Sequence, residues 1–154
     1  MSQSRALSLP ATFRPLRGRV IAYVFAVLLV ACLTVISISL PSGGHVSFGL
    51  LDRLAIIVFG LAVAWFLHRM GSVRLDADEA GITVRNLFAR RRLDWAEVVG
   101  VRLASGDPWL QLDISDGTAL SAMAIQNADG QRARDAAMQL ARLVVANTPP
   151  MPEG

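Results

Sequence analysis

Lysine is absent from this 154-residue chain, cysteine occurs once, tyrosine once and histidine twice. Each shortage excludes something. The lone cysteine, Cys32, rules out an internal disulfide. Both histidines, His45 and His68, fall in the first half, and no His, Cys or Lys follows residue 68. The C-terminal half therefore lacks Ser-His, Cys-His and Ser-Lys nucleophile arrangements, and it lacks His/Cys metal centres. Acidic residues are almost missing before residue 69, where Asp52 stands alone against Arg5, Arg14, Arg17, Arg19 and Arg53. After residue 68, ten arginines face eleven acidic residues. The high isoelectric point thus belongs to the N-terminal half, and a nucleic-acid partner is not implied. The use of arginine alone reads as codon bias and carries no functional weight.

What the first half does have is apolar length. Val20 to Leu40 is a run of 21 residues without a charge, and Leu54 to Leu67 adds 14 more. At about 1.5 Å per helical residue the first run is roughly 31 Å long, the thickness of a bilayer core. The second reaches spanning length if it starts near Val46 and carries Asp52 and Arg53 at its outer end. The expected organisation is a cytoplasmic Arg-rich segment over 1–19, a transmembrane helix over 20–40 and a short extracytoplasmic loop over 41–53. A second transmembrane helix follows over about 48–68, its outer boundary left open. Arginines flank both outer ends of this hairpin, so the positive-inside rule puts both termini in the cytoplasm of a bacterial plasma membrane. Trp65 and Phe66 fall near the cytoplasmic interface, facing headgroups, lipid or the partner helix. Gly60-x-x-x-Ala64 is a small-residue spacing that lets two helices approach closely.

Two rival readings of the first run are weaker. A signal peptide has a shorter apolar core and a small-residue cleavage site, whereas this run ends Ser37-Ile38-Ser39-Leu40-Pro41. Leu29-Val30-Ala31-Cys32 has the residue types of a lipoprotein signal. The chain stays apolar from Leu33 to Leu40, however, so an unmodified intramembrane Cys32 fits better than a lipidated one.

From Ser72 the pattern changes to alternation. Ile82 and Val84 alternate with Thr83 and Arg85, Val99, Val101 and Leu103 with their polar or small neighbours, and Leu110, Leu112 and Ile114 with Gln111, Asp113 and Ser115. That period marks strands with one buried face. Six are expected, near 72–76, 81–87, 90–94, 98–104, 108–114 and 118–125, with Asp116-Gly117 as a hairpin turn. Asp94-Trp95-Ala96-Glu97 has capping-box spacing, and Trp95 reads as a core plug at that corner. Asp129 is placed to cap a final helix whose Ala133, Ala136, Ala137, Leu140, Leu143 and Val144 form one stripe. Residues 148–154 read as a loose tail. The fold class is therefore α+β: a two-helix transmembrane hairpin, then a domain over 70–147 made of an antiparallel meander closed by a C-terminal helix.

Three stretches carry a family resemblance. They are Asp78-Glu79-Ala80-Gly81-Ile82-Thr83-Val84-Arg85-Asn86, Arg91-Arg92-Leu93-Asp94-Trp95-Ala96-Glu97-Val98-Val99-Gly100-Val101 and Leu112-Asp113-Ile114-Ser115-Asp116-Gly117-Thr118. Together they resemble the small bacterial PH-like domain family that includes the low molecular weight protein antigen 6 type. The resemblance covers about residues 70–145 and implies a split barrel closed by a helix, two membrane helices ahead of it, no enzymatic activity and no cofactor. The chain departs from the full PH pattern in showing six strands rather than seven and in lacking a Trp in its last helix. Its first turn, Asp76-Ala77-Asp78-Glu79, is acidic, so inositol-lipid binding is not transferred, nor is any binding residue.

One cluster invites a functional reading. Arg90, Arg91 and Arg92 sit across a hairpin from Arg85, with Leu87 and Phe88 at its tip. Near a cytoplasmic leaflet such a cluster attracts anionic lipid; alternatively its members point to water and pair with carboxylates such as Glu97. Asp76, Asp78 and Glu79 lack the further oxygen donors of a calcium loop and read as a solvated turn. His45 and His68 read as interfacial polar residues. The expected function is a non-enzymatic binding or scaffolding module held at the cytoplasmic face of the plasma membrane, its partners membrane lipids and a protein the sequence does not name. An accessory subunit of a membrane complex, recognised through its helix hairpin, and an exported or lipidated envelope protein are the alternatives. Nothing in the sequence requires a homo-oligomer.

Overall fold

The structure, a computed structural model, describes residues 9–43 and 48–148. Arg5, His45 and the expected tail beyond Thr148 lie outside them. The chain divides into two compact units, one of residues 18–72 and one built from both flanks of that segment.

The first unit holds two helices, α1 (Arg17–Ser39) and α2 (Leu50–Gly71). Both are long and apolar enough to cross a membrane. Small residues make their contact: Ala22, Ala26 and Ser37 of α1 are buried, as is Gly60 of α2. A Cβ on Gly60 would come within 2.9 Å of the Leu33 side chain, which is why glycine suits that crossing. Arg53 would be costly in an apolar helix, but its guanidinium donates to the carbonyls of Ser37, Ile38 and Leu40 and to Ser42 Oγ. Those carbonyls are at the end of α1, where no intrahelical donor reaches them. The second helix starts at Leu50, with the Gly49 N–H donating to Asp52 at 2.8 Å.

The second unit contains two antiparallel sheets and a helix. The first sheet is ordered β1 (Ala11–Phe13), β2 (Arg74–Asp78), β3 (Gly81–Arg85), β4 (Arg90–Leu93). The second is β5 (Val98–Arg102), β6 (Trp109–Ile114), β7 (Ala119–Gln126), followed by α3 (Gln131–Asn147). The described residues thus form seven strands, not the six expected. The additional one comes from ahead of the apolar helices: Ala11, Thr12 and Phe13 pair with Ala77, Asp76 and Leu75. The segment 1–19 is therefore more than a charged flank. Its three-residue strand is too short to show a period, so the alternation rule does not detect it.

Alternation places the core. Leu75, Ile82, Val84, Leu93, Val98, Leu110 and Leu112 are essentially fully buried, together with Leu140 and Leu143 of α3. Each contributes roughly 1.5–3 kcal/mol by leaving water. Ala133 and Val144 complete the expected stripe on α3, with Ala136 and Ala137 partly buried beside it. Trp95 is the core plug at the corner between the sheets, and its indole N–H donates to the Asp78 carbonyl at 3.1 Å. The 3₁₀ turn Trp95–Glu97 begins with the Asp94 N–H held by Glu97 at 2.7 Å. Gly81 opens β3 at φ +148°, where a Cβ would come within 2.2 Å of the Leu93 carbonyl oxygen. Asn86 stitches the two sheets together: its Nδ2 donates to the Ser121 carbonyl at 2.6 Å, and its Oδ1 accepts from the Met123 N–H at 3.1 Å.

Asp129 departs from expectation. The residue ahead of α3 is Gly130, and the Asp129 carboxylate instead accepts from the backbone N–H groups of Leu16 and Arg17, each at 3.0 Å. Arg17 adds a bond from its guanidinium to the Ala128 carbonyl at 3.0 Å. An aspartate at this point satisfies donors at the start of α1 that have no partner within that helix. Thr148, assigned to the tail by the sequence, closes α3 with hydroxyl bonds shared between the Val144 and Trp95 carbonyls.

Phe13 is buried among the core residues. Replacing it with alanine is expected to cost the PH-like unit about 3 kcal/mol, read from denaturant unfolding of the full chain in detergent. A loss below about 0.5 kcal/mol, the size of an ordinary surface change, would mean that β1 is not packed as described.

Candidate functional site

The outer face of the first sheet carries the charge. Leu75, Ala77, Ile82, Val84 and Leu93 point inward, so their strand neighbours Arg74, Asp76, Asp78, Thr83, Arg85, Arg90 and Arg92 occupy the other face. Register sorts these into rows. Arg74 lies opposite Arg85, and Arg85 opposite Arg90. Two residues along each strand, Thr12, Asp76, Thr83 and Arg92 form the next row on that face. Thr83 is buried there, between Asp76 and Arg92.

The four arginines singled out in the sequence separate in space. Arg92 pairs with Asp78 at 3.1 Å. Arg91 lies opposite Val84, on the inward side at the open end of β4, and reaches Asp116 at 3.6 Å. Glu97, the carboxylate expected to answer this cluster, is engaged at the Asp94 N–H instead. Arg85 and Arg90 have no carboxylate partner among the described residues. They are joined by a residue the sequence did not flag: Arg74, 11 positions before Arg85, enters the row through strand pairing and is itself held to Asp76 at 2.8 Å. Only the β2–β3 register reveals it.

The hairpin tip beside the row is the turn Asn86 to Ala89, closed by the Asn86 N–H on the Ala89 carbonyl at 2.8 Å. Leu87 is half-buried, while Phe88 is 77% exposed. The acidic turn has its own duties. Asp76 accepts from Thr12 Oγ1 at 2.9 Å as well as from Arg74, and Asp78 accepts from the Ala80 N–H at 2.9 Å as well as from Arg92. Two carboxyls elsewhere are held below the ordinary carboxylate range: Asp116 by the hydroxyl and N–H of Thr118, and Asp113 by its hydrogen bond to Arg102. Cys32 is exposed on α1. His68 Nδ1 and the Tyr23 hydroxyl are hydrogen-bonded at 3.1 Å. A concavity of about 460 Å³ lies between β1 and the first turns of α3, lined by Thr12, Arg14, Asp129, Arg132 and Gln139 among others. Asp129 there is already engaged with Leu16 and Arg17.

Two sheets of four and three antiparallel strands, closed by a C-terminal helix, define a PH-like fold, here with two apolar helices between its first and second strands. A family profile described as Bacterial PH domain matches residues 72–143. Uncharacterized proteins of Mycobacterium bovis and of two Mycobacterium tuberculosis strains are 36% identical over 105 residues, which is 68% of this chain and 68% of theirs. The chain belongs to this bacterial PH domain family. No solved structure matches it.

Like charges directly opposite on neighbouring strands cost about 0.2–1 kcal/mol. Replacing Arg85 with glutamine is therefore expected to leave stability unchanged, or to raise it by a few tenths of a kcal/mol at low salt, with the gain disappearing at high salt. Thermal unfolding across a salt series checks this. A loss above about 1 kcal/mol at any salt, beyond what an exposed pair supplies, would mean that Arg85 has a stabilising partner within the fold.

Proposed function

We propose that this protein is a membrane-anchored PH-like binding module, non-catalytic, held at the cytoplasmic face of the bacterial plasma membrane by its two apolar helices, with both termini in the cytoplasm. One observation carries the reading. β1 and β2 are hydrogen-bonded neighbours, yet the two helices separate them in the chain. Segments that pair in one sheet occupy one compartment, so helices that enter the bilayer between them cross it an even number of times. Arg14 ahead of α1 and Arg17 and Arg19 in its first turn, with Arg69 in the last turn of α2 and Arg74 beyond it, favour the cytoplasm for that compartment. The same pairing disfavours an exported, lipidated form: processing at Cys32 would separate β1 from the sheet it completes. The shortage of nucleophile and acid–base partners after residue 68 supports binding over catalysis.

Topology tests the proposal. The full chain is expected to stay in the membrane pellet through alkaline carbonate extraction. Its PH-like unit is expected to resist protease added to spheroplasts and to be digested in inverted vesicles. Extraction into the carbonate supernatant would remove the anchor, and digestion in spheroplasts would reverse the orientation.

A further inference from the structure

Both covalent links from the PH-like unit to the apolar helices leave from one end of the first sheet. β1 finishes at Phe13, opposite Leu75, and runs into Arg17; β2 starts at Arg74, three residues after Gly71. That end of the sheet also carries the row Arg74, Arg85, Arg90 and the turn bearing Phe88. Three guanidinium groups in directly adjacent register repel one another. Asp76 answers Arg74, whereas Arg85 and Arg90 face outward with no carboxylate partner among the described residues. A row of cations beside an exposed phenylalanine is complementary to an interface that is anionic at its surface and apolar beneath. Chain length supplies the reach: three extended residues span at most about 11 Å, close to the ~10 Å over which charges act at moderate salt.

Resting on the membrane-anchored reading above, we propose that Arg74, Arg85 and Arg90, with Phe88 at the tip, form a foot that docks on the phosphate-bearing headgroups of acidic lipids. The leaflet is the one the helices enter. Arg91 and Arg92, paired with Asp116 and Asp78, are its flank rather than its contact. The row lies on the outer face of the sheet rather than in a cavity, so the foot recognises a charged surface more than one headgroup shape. Its consequence is orientational: docking holds the sheet end against the lipid and leaves α3 and the second sheet turned toward other partners.

The test uses the full chain in nanodiscs, with an environment-sensitive dye on Ala89→Cys in a Cys32→Ser background. One set of discs is pure phosphatidylcholine, the other an equal mixture of phosphatidylcholine and phosphatidylglycerol. The dye is expected to shift to the blue in the mixed discs only, and the shift is expected to fade with added salt. Neutralising each arginine lowers the ratio of docked to free foot about fivefold, so Arg85→Gln/Arg90→Gln loses most of the shift. Arg132→Gln, on α3, retains it. Equal emission in the two disc types, or a shift that survives the double substitution, overturns the foot. So does inorganic phosphate that reproduces the shift in phosphatidylcholine discs, which would assign the row to a soluble anion. A chain that fails to enter discs at all overturns the anchor reading with it; one that enters both but shows no lipid dependence overturns the foot alone.

Discussion

Three backbone pairings, Ala11 to Phe13 against Ala77 to Leu75, bring together pieces of chain separated by two apolar helices. The architecture depends on that short ladder. Without β1, β2 would be an open edge beside Phe13's vacated place in the core, and exposed edges invite pairing with other chains. With it, the helices are an insertion within one domain rather than a leader ahead of it. Asp129 reinforces the arrangement from the segment ahead of α3, holding the N–H groups of Leu16 and Arg17 just where the chain leaves the sheet. Two independent contacts therefore bind the N-terminal segment to a domain whose remaining strands lie beyond residue 73.

The charged surface follows from the same pairing. Register, not sequence adjacency, decides which arginines act together. Arg91 and Arg92 follow Arg90 directly, yet each has a carboxylate partner of its own, while Arg74 and Arg85 stand level with Arg90 across three strands. Exposed pairs of this kind contribute roughly 0–1 kcal/mol, so the sheet's stability comes from the leucine, isoleucine and valine side chains on its inner face. The outer face is free to carry charge without threatening the fold.

Much of this was legible in the sequence because the signals were long. The 21-residue uncharged run, the period-two strands and the α3 stripe each span enough residues for a pattern to register. Strand positions hold within a few residues, Trp95 is the buried plug its spacing suggests, and Gly60 packs against the other helix. The gaps have a common cause. β1 offers three residues, too few for alternation. Asp129 looks like a helix cap and is one, but for α1, more than 100 positions away in sequence rather than for α3 beside it. Arg74 and Asn86 gain their roles from cross-strand and cross-sheet neighbours. Local spacing carries no record of such long-range pairing.

The central claim is that β1 and β2 are neighbours across the helical insertion. Cysteines at Thr12 and Asp76, a directly opposed pair, test it most directly in the full chain carrying Cys32→Ser. The account predicts an oxidative crosslink for Thr12→Cys/Asp76→Cys and little for Thr12→Cys/Asp78→Cys, which is two residues out of register on the same face. Absence of the first crosslink, or equal yields from both pairs, would contradict it.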